Sequence, residues 1–252
     1  MSILTLTTDY GASDHYVAHL KGHLLKQNPD FKIVDVSHNI KSFDIVQAAI
    51  VLKLAYPPFP PGTIHLALVH NRTADQDLVC VQRDDQYFMM LDNGMITLLF
   101  EDLNVCHRLL KPDHLGLKQW IAQCAADLHQ GKLLDEIGQI TENFQRRIHL
   151  KPVVTTSYIR GVAIYVDHYD NIIFNITRDL FDSVCGGRSF ELFYKRHDPL
   201  TTIHANYYDV AVGETVCRFN NAGYLELGIN MGRAASLLGI KVDDAVQIHF
   251  ND

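Results

Sequence analysis

Apolar and hydroxyl-bearing positions alternate through ILTLTT (residues 3–8) and stop at Asp9, so the chain opens on a strand that ends in a carboxylate. Gly11 follows, and Asp14 stands where period two gives way to the helical spacing of residues 14–27. The two rhythms then take turns. KIVDVSH (32–38) reads as a strand and residues 43–56 as a helix. TIHLALVH (63–70), LVCVQR (78–83), QYFMMLD (86–92) and MITLLF (95–100) read as strands, and QWIAQCAADLHQG (119–131) as a helix. This alternation predicts an α/β domain with a largely parallel central sheet covered by helices. YPPFPPG (56–62) suits neither regular helix nor central strand and reads as a rigid connector.

Beyond residue 150 the pattern becomes short, alternating and punctuated by turns. VVTTSYIRGVAIYVDHYDNIIFNI, SFELFY, ETVCRFNNAGYLELGIN and DAVQIHF read as strands, with one helix-like piece at 231–238. The pattern predicts a smaller all-β, barrel-like domain. The expected division is 1–150 and 151–252, breaking near QRRIHLKPVV (145–154). A ligand cleft is then expected between domains or subunits.

Composition narrows the function. The formal net charge of −7 comes without a lysine/arginine run, which argues against a nucleic-acid partner and suits a cationic small ligand. No apolar stretch reaches membrane-spanning length, and the N-terminus lacks the regions of a signal peptide. Five scattered cysteines (80, 106, 124, 185 and 217) without a CxxC pair read as reduced thiols of a cytoplasmic protein.

Asp9 and Asp14 sit at the carboxyl end of the first strand, where open α/β sheets bind ligands. One carboxylate there can accept both hydroxyls of a ribose diol, and another can meet an ammonium or sulfonium group. Turn and helix-cap roles would explain the same two residues structurally. The missing glycine-rich loop counts against a diphosphate ligand. His15, His19 and His23 share one helical face but converge poorly on a single metal ion, so a partly exposed polar face is expected and no metal. His70, the first polar residue beyond its apolar strand, either carries chemistry or merely ends the strand. In VDHYDNIIFNI (166–176), Asp167, Tyr169, Asn171 and Asn175 fall on one strand face, as a hydrogen-bonding wall or a solvated edge. Residues 220–240 offer a glycine turn, a strand and a helix start near Asn230, whose amides could grip a carboxylate or a purine edge.

Together TLTTDYGASDHYVAHLKG, IVDVSHNIKSFDIVQAA, FPPGTIHLALV, LDNGMITLL, VDHYDNIIFNI and NAGYLELGINMGRAASLLGIKVDD resemble, in this order, the S-adenosyl-L-methionine (SAM) hydroxide adenosyltransferases, relatives of the SAM-dependent fluorinase and chlorinase. The resemblance implies an α/β N-terminal domain, a β-barrel C-terminal domain, and a homotrimer that binds SAM between one subunit's N-domain and its neighbour's C-domain. By position, it implies that Asp9 holds the ribose diol, that Asp14 helps hold the methionine part, and that Asp167 meets the methionine amino group. Tyr169 and Asn171 would frame the adenine, with Asn221, Ala222, Asn230 and Met231 closing the other side. Phe43 takes the place of an aromatic wall, and Tyr16 that of a small hydroxyl in the halogenases. Thr73 and Asn93 complete the implied binding set. Asp170 stands where the family usually has glycine.

The implied reaction is in-line displacement at ribose C5′ of SAM by water or hydroxide, giving adenosine and methionine, with no cofactor. The hydroxide-transferring relatives use an Asp/Arg/His trio, and here the resemblance departs. His70 holds the Asp place, Asp77 the Arg place and Gly116 the His place, with His114 two residues away. Two readings follow. In one, His70 is the base or positions water, oriented by Asp75 or Asp77, which makes the chain a SAM hydrolase. In the other, the chain binds SAM or adenosine with little or no turnover. Halogenation fits less well, because Leu117 falls where the halogenases carry a halide-binding hydroxyl.

Overall fold

The structure is a computed structural model that describes residues 3–71, 76–148, 150–194 and 199–251. The chain divides into two compact units, residues 1–149 and 150–252.

In the first unit, β1 (Ile3–Thr8), α1 (His15–Gln27), β2 (Lys32–Ser37), α2 (Ile45–Ala55) and β3 (Ile64–Leu68) follow one another as expected. A hairpin of β4 (Leu78–Arg83) and β5 (Gln86–Leu91) comes next, then α3 (Met95–Leu99), β6 (Cys106–Leu109), α4 (Leu117–His129), α5 (Leu134–Ile137) and β7 (Gly138–Thr141). The sheet order is β2-β1-β3-β5-β4-β6-β7. β2, β1, β3 and β5 are parallel neighbours, whereas β4, β6 and β7 join through antiparallel pairings. The sheet is therefore mixed, and parallel only on the side that carries β1. Both faces are buried, by one cluster around Leu4, Leu66 and Trp120 and another around Ala67, Phe88 and Phe100.

MITLLF is a helix, not the expected strand. An apolar run that short has no periodicity to separate the two, and two local features decide it. Gly94 takes φ 92°, and the Asn93 Oδ1 accepts from the Met95 N–H at 3.1 Å, so the chain turns into α3. All five residues of α3 are buried, which explains an apolar pattern without a polar face.

The second unit contains β8 (Val153–Val154), β9 (Tyr158–Val166), β10 (Ile172–Thr177), α6 (Arg178–Cys185), β11 (Ser189–Tyr194), β12 (Thr215–Phe219), β13 (Tyr224–Ile229), α7 (Ala234–Leu238) and β14 (Ala245–Asn251). Its named strands pair antiparallel, in the order β11-β14-β9-β10-β13-β12, with β8 added to β9. α6 lies outside the sequence expectation; its start is capped by the Thr177 hydroxyl, and it buries Phe181 and Cys185. The helix expected near Asn230 starts four residues later, at Ala234, because Asn230–Arg233 form a turn in which Met231 takes φ 55°.

Candidate active site

Strand order places the first unit's ligand crevice. From β1 the chain crosses through α1 to β2 on one side and through α2 to β3 on the other, so the carboxyl ends of β1 and β3 flank a topological switch point. Thr8 and Leu68 are register partners, and the next residues on each strand lead to Asp9 and His70. Asp9 Oδ2 accepts the backbone N–H of His70 at 3.1 Å and that of Phe43 at 2.9 Å. One carboxylate oxygen thus gathers the loops that follow β1, β2 and β3. Its other oxygen, Oδ1, has no hydrogen-bond partner among the described residues.

Both donors are strained. Phe43 takes φ 70° and His70 φ 58°, a region that costs a bulky residue roughly 1–2 kcal/mol. Among the described residues the only aromatic or long apolar side chains with positive φ are Phe43, His70 and Met231, and all three are sequence-expected site residues. The Phe43 ring is exposed and lies 5.5 Å from the His70 ring, centroid to centroid.

Neighbouring elements hold this arrangement. Gly11, with φ 74°, donates its N–H to the His38 carbonyl at 2.8 Å, and the Thr8 hydroxyl contacts His38 Nδ1 at 2.8 Å. The loop carrying Asp9 is therefore anchored on both sides. Asn93 is buried; its Nδ2 donates to the Val69 carbonyl at 2.8 Å and its Oδ1 accepts from Met95, so its amide fixes the strand end beside His70. Asp14 occupies the residue before α1, yet its carboxylate makes no capping hydrogen bond. The cap explanation leaves that carboxylate unused.

Tyr16, half exposed, stacks near His15 at 4.3 Å and faces Tyr10 at 6.1 Å. Lys118, at the start of α4, lies 5.9 Å from both tyrosine ring centroids and 3.0 Å from His19 Nδ1. Burial holds the Lys118 ammonium below its ordinary pKa. Burial, and then the charge of Asp9, push the Tyr10 phenol up to about 12. His15, His19 and His23 do share one face, where His19 and His23 meet edge-on at 4.7 Å.

The catalytic candidates are less assembled. The Asp77 carboxylate lies 3.1 Å from Arg108 Nε, off the line of that N–H, so the contact is an ion pair and not a hydrogen bond. Arg108 also reaches Asp92 at 3.6 Å. His114 stands exposed in the turn before α4. Thr73 and Asp75 lie outside the described residues.

The second unit reshapes the expected wall. Asp167–Asn171 form the turn between β9 and β10 instead of continuing a strand, and only Asn175 lies in β10. Asp167 Oδ1 accepts from the backbone N–H groups of Tyr169 at 2.9 Å and Asn171 at 2.8 Å, a local bonding pattern that competes with strand pairing. Asn171 Nδ2 donates to Asp167 Oδ2 at 3.0 Å. Asp170 takes φ 66°, a region that favours glycine. Its carbonyl accepts from Ala235 and its carboxylate meets the Ser236 hydroxyl, tying the turn to α7 and thus to Asn230 and Met231. Asn175 serves the scaffold: its Oδ1 accepts from Val162 and its Nδ2 donates to the Leu150 carbonyl.

The β10–β13 ladder separates the remaining candidates. Ile172 pairs with Leu227 at one end and Thr177 with Tyr224 at the other. Asp167, Tyr169, Asn171, Asn230 and Met231 gather at the first end. Asn221 and Ala222 lie in the turn beyond the second, where Asn220 Oδ1 accepts from Ala222. The six residues of β13 lie between the two groups, and at about 3.3 Å per residue that strand alone spans roughly 17 Å from first residue to last. Asn230 is itself anchored, its Nδ2 donating to the Val210 carbonyl at 2.8 Å. Sequence reasoning missed Tyr207 and Glu226, which bond to this turn network from β13 and the loop before β12.

Among the described residues no cluster of His, Cys, Asp or Glu could hold a metal ion, and no helix is long and apolar enough to cross a membrane.

Comparison with known proteins identifies the family. The (R)-S-adenosyl-L-methionine hydrolase of Methanocaldococcus jannaschii is 28% identical over 281 aligned residues, covering 98% of this chain and 96% of the relative. A fluorinase from an Actinoplanes species is 22% identical, covering 98% and 97%. The crystal structure of a conserved protein from Thermotoga maritima superposes with a TM-score of 0.85 at 28% identity, covering 98% and 99%. The profile of the SAM hydroxide adenosyltransferase N-terminal domain matches residues 4–138, and that of the C-terminal domain matches residues 161–247. With both halves matched in order, the chain belongs to the SAM hydroxide adenosyltransferase family.

Proposed function

We propose that this protein is a SAM hydrolase, converting SAM and water to adenosine and methionine. The observation that carries the reading is the Asp9 carboxylate at the switch point: one oxygen is pinned by two strained backbone amides, and the other is left for a ribose diol. The crevice has no glycine-rich phosphate cradle, which suits a nucleoside with a cationic amino-acid tail. Asp14, whose carboxylate is not spent on capping α1, and Asp167 are the carboxylates assigned to that tail. Tyr16, Phe43, Thr73 and Asn93 complete the first unit's share. Tyr169, Asn171, Asn230 and Met231 form the purine wall of the second. Asn221 and Ala222, at the far end of the ladder, would serve a different part of the ligand or a different copy of the site.

The chemistry is a balanced displacement. The water oxygen forms a bond to C5′ as the C5′–S bond breaks, and the electron pair leaves on sulfur, which becomes a neutral thioether. The proton of the attacking water passes to a base or to solvent. A neutral leaving group needs no general acid, so the site must position water opposite sulfur and take one proton. We assign that role to His70, whose backbone Asp9 fixes. Asp77 and His114 are secondary candidates, the first because Arg108 shares its carboxylate.

A homotrimer with its sites at subunit interfaces follows from the same reading. Phe43, Tyr169 and Met231 are 65%, 72% and 88% exposed, so each unit leaves apolar candidate-site side chains uncovered. Five free, buried thiols suit a reducing, cytoplasmic setting.

A second reading, binding of SAM or adenosine with little turnover, is favoured by one observation: the ion pair of Asp77 with Arg108 leaves the trio unassembled. Incubation with SAM separates the two. Adenosine and methionine in equal amounts support the hydrolase, and tight binding with intact SAM supports the alternative.

A further inference from the structure

Two buried histidines meet hydroxyls of β1, and the two contacts differ in what they hold. His65 Nδ1 lies 2.8 Å from the Thr5 hydroxyl in mid-strand, and His38 Nδ1 lies 2.8 Å from the Thr8 hydroxyl at the strand's carboxyl end. Both hydroxyls and both imidazoles are buried. Only the second pair adjoins Asp9.

His38 is also gripped from its other side. Its Nε2 stands 3.1 Å from Asp35 Oδ1, and Asp35 Oδ2 accepts from Lys21 Nζ at 2.6 Å. Burial alone would raise the Asp35 carboxyl, but Lys21 and then His38 hold it below its ordinary pKa, so it is an ionised acceptor. In a neutral imidazole that neighbour favours hydrogen on Nε2 and leaves Nδ1 bare. The Thr8 hydroxyl hydrogen then goes to Nδ1, and the Thr8 oxygen accepts the Tyr10 N–H at 3.3 Å. The same histidine takes the Gly11 N–H on its carbonyl at 2.8 Å. Thr8, Tyr10 and Gly11, which flank Asp9 in sequence, are thus all ordered from His38.

We propose that His38, set by the Lys21–Asp35 pair, is a positioning residue that aims the Asp9 carboxylate at the ribose diol through the Thr8 hydroxyl. The inference rests on the proposed reading of Asp9 as the partner of that diol. His38 is assigned no ligand contact of its own and acts through where Asp9 stands. A carboxylate serves two hydroxyls at once only while its direction is fixed, because a hydrogen bond weakens steeply once it is bent.

Adenosine and 2′-deoxyadenosine, titrated by calorimetry into the intact protein, measure that aim. The wild type is expected to prefer adenosine by roughly tenfold or more, as for a hydrogen bond to a charged group. Thr8→Val removes the hydroxyl at nearly constant shape, and His38→Leu removes its partner. Either should shrink the ratio of the two affinities at least about threefold. Thr8→Ser keeps the hydroxyl and should hold the ratio within about twofold. Thr5→Val deletes the matching contact to His65 farther back on β1, so it should lower stability and keep the ratio. Both ligands are measured on one preparation, so lost folded protein cannot mimic a changed ratio. A ratio unchanged in Thr8→Val or in His38→Leu, or one that Thr8→Ser or Thr5→Val shrinks as much, overturns the inference. A wild type that binds the two nucleosides alike overturns the reading of Asp9 and the inference with it. One that binds neither adenosine nor SAM overturns the ligand assignment as a whole.

Discussion

The Asp9 carboxylate and the His70 backbone, 61 positions apart in sequence, meet at 3.1 Å through one hydrogen bond that joins the loops after β1 and β3. Asp9 is therefore a structural anchor, and the proposed ribose-binding role separates from it by substitution. Asp9→Ala takes the shared acceptor from the amides of Phe43 and His70, which loosens the junction of the three loops. Asp9→Asn retains an acceptor oxygen but not a negative charge. Adenosine binding, measured by calorimetry, should weaken about 5- to 100-fold in Asp9→Ala, and thermal melts should show Asp9→Asn as the more stable of the two variants. Equal binding in wild type and Asp9→Ala would remove Asp9 from the ribose site.

His70 is tested through both its side chain and its backbone. His70→Ala is expected to lower kcat with SAM by at least about tenfold while changing KM less, as for a residue acting on the nucleophile. His70→Gly should lose the same activity but be more stable than His70→Ala by about 1 kcal/mol, because φ 58° suits glycine. An unchanged kcat in both variants assigns proton removal elsewhere, with Asp77→Asn and His114→Ala the next to measure.

The buried His65 gives the fold a pH limit. Its Nδ1 contacts the Thr5 hydroxyl at 2.8 Å and its Nε2 the Gln86 side-chain oxygen at 2.5 Å, with its ring stacked on Phe88 at 4.7 Å. Burial lowers its pKa, and the Gln86 bond only partly opposes that shift. The unfolded chain therefore takes up this proton more readily than the folded one. Stability is intact above the unfolded value near 6.5 and declines as pH falls from there toward the lower folded value. Urea midpoints at pH 7.5 and 5 should show a larger drop for the wild type than for His65→Phe. Equal drops would mean that other histidines set the limit.

Gly228 tests the packing behind the proposed purine wall. Gly228→Ala pushes a methyl group against Asn171 and Tyr207, so stability should fall by about 1–3 kcal/mol and adenosine affinity should fall with it. Urea unfolding and calorimetry on the same variant check both. Unaltered affinity with lowered stability would detach Asn171 from the ligand.

What the sequence made legible follows from the range of the forces involved. The strands β1 to β5 and helices α1, α2 and α4 show their own periodicity, and the Asp9 position was readable because a strand that ends in a carboxylate is a local pattern. MITLLF failed because burial on all sides erases periodicity. The antiparallel side of the first sheet was missed because β6 has only four residues. The 166–176 wall failed because Asp167 bonds its own backbone two and four residues ahead, a choice that alternation does not report. Tyr207 and Glu226 were out of reach because their link to Asn171 spans 36 residues and depends on strand register. The separation of Asn221 from Asn230 likewise appears only once β13 lies between them.

The most direct test is incubation with SAM in water enriched in oxygen-18, followed by mass spectrometry of the nucleoside. Hydrolysis at C5′ predicts adenosine carrying the label in its 5′-hydroxyl, with one methionine formed for each adenosine. Intact SAM at the end of the incubation, or adenosine without the label, would contradict the assignment.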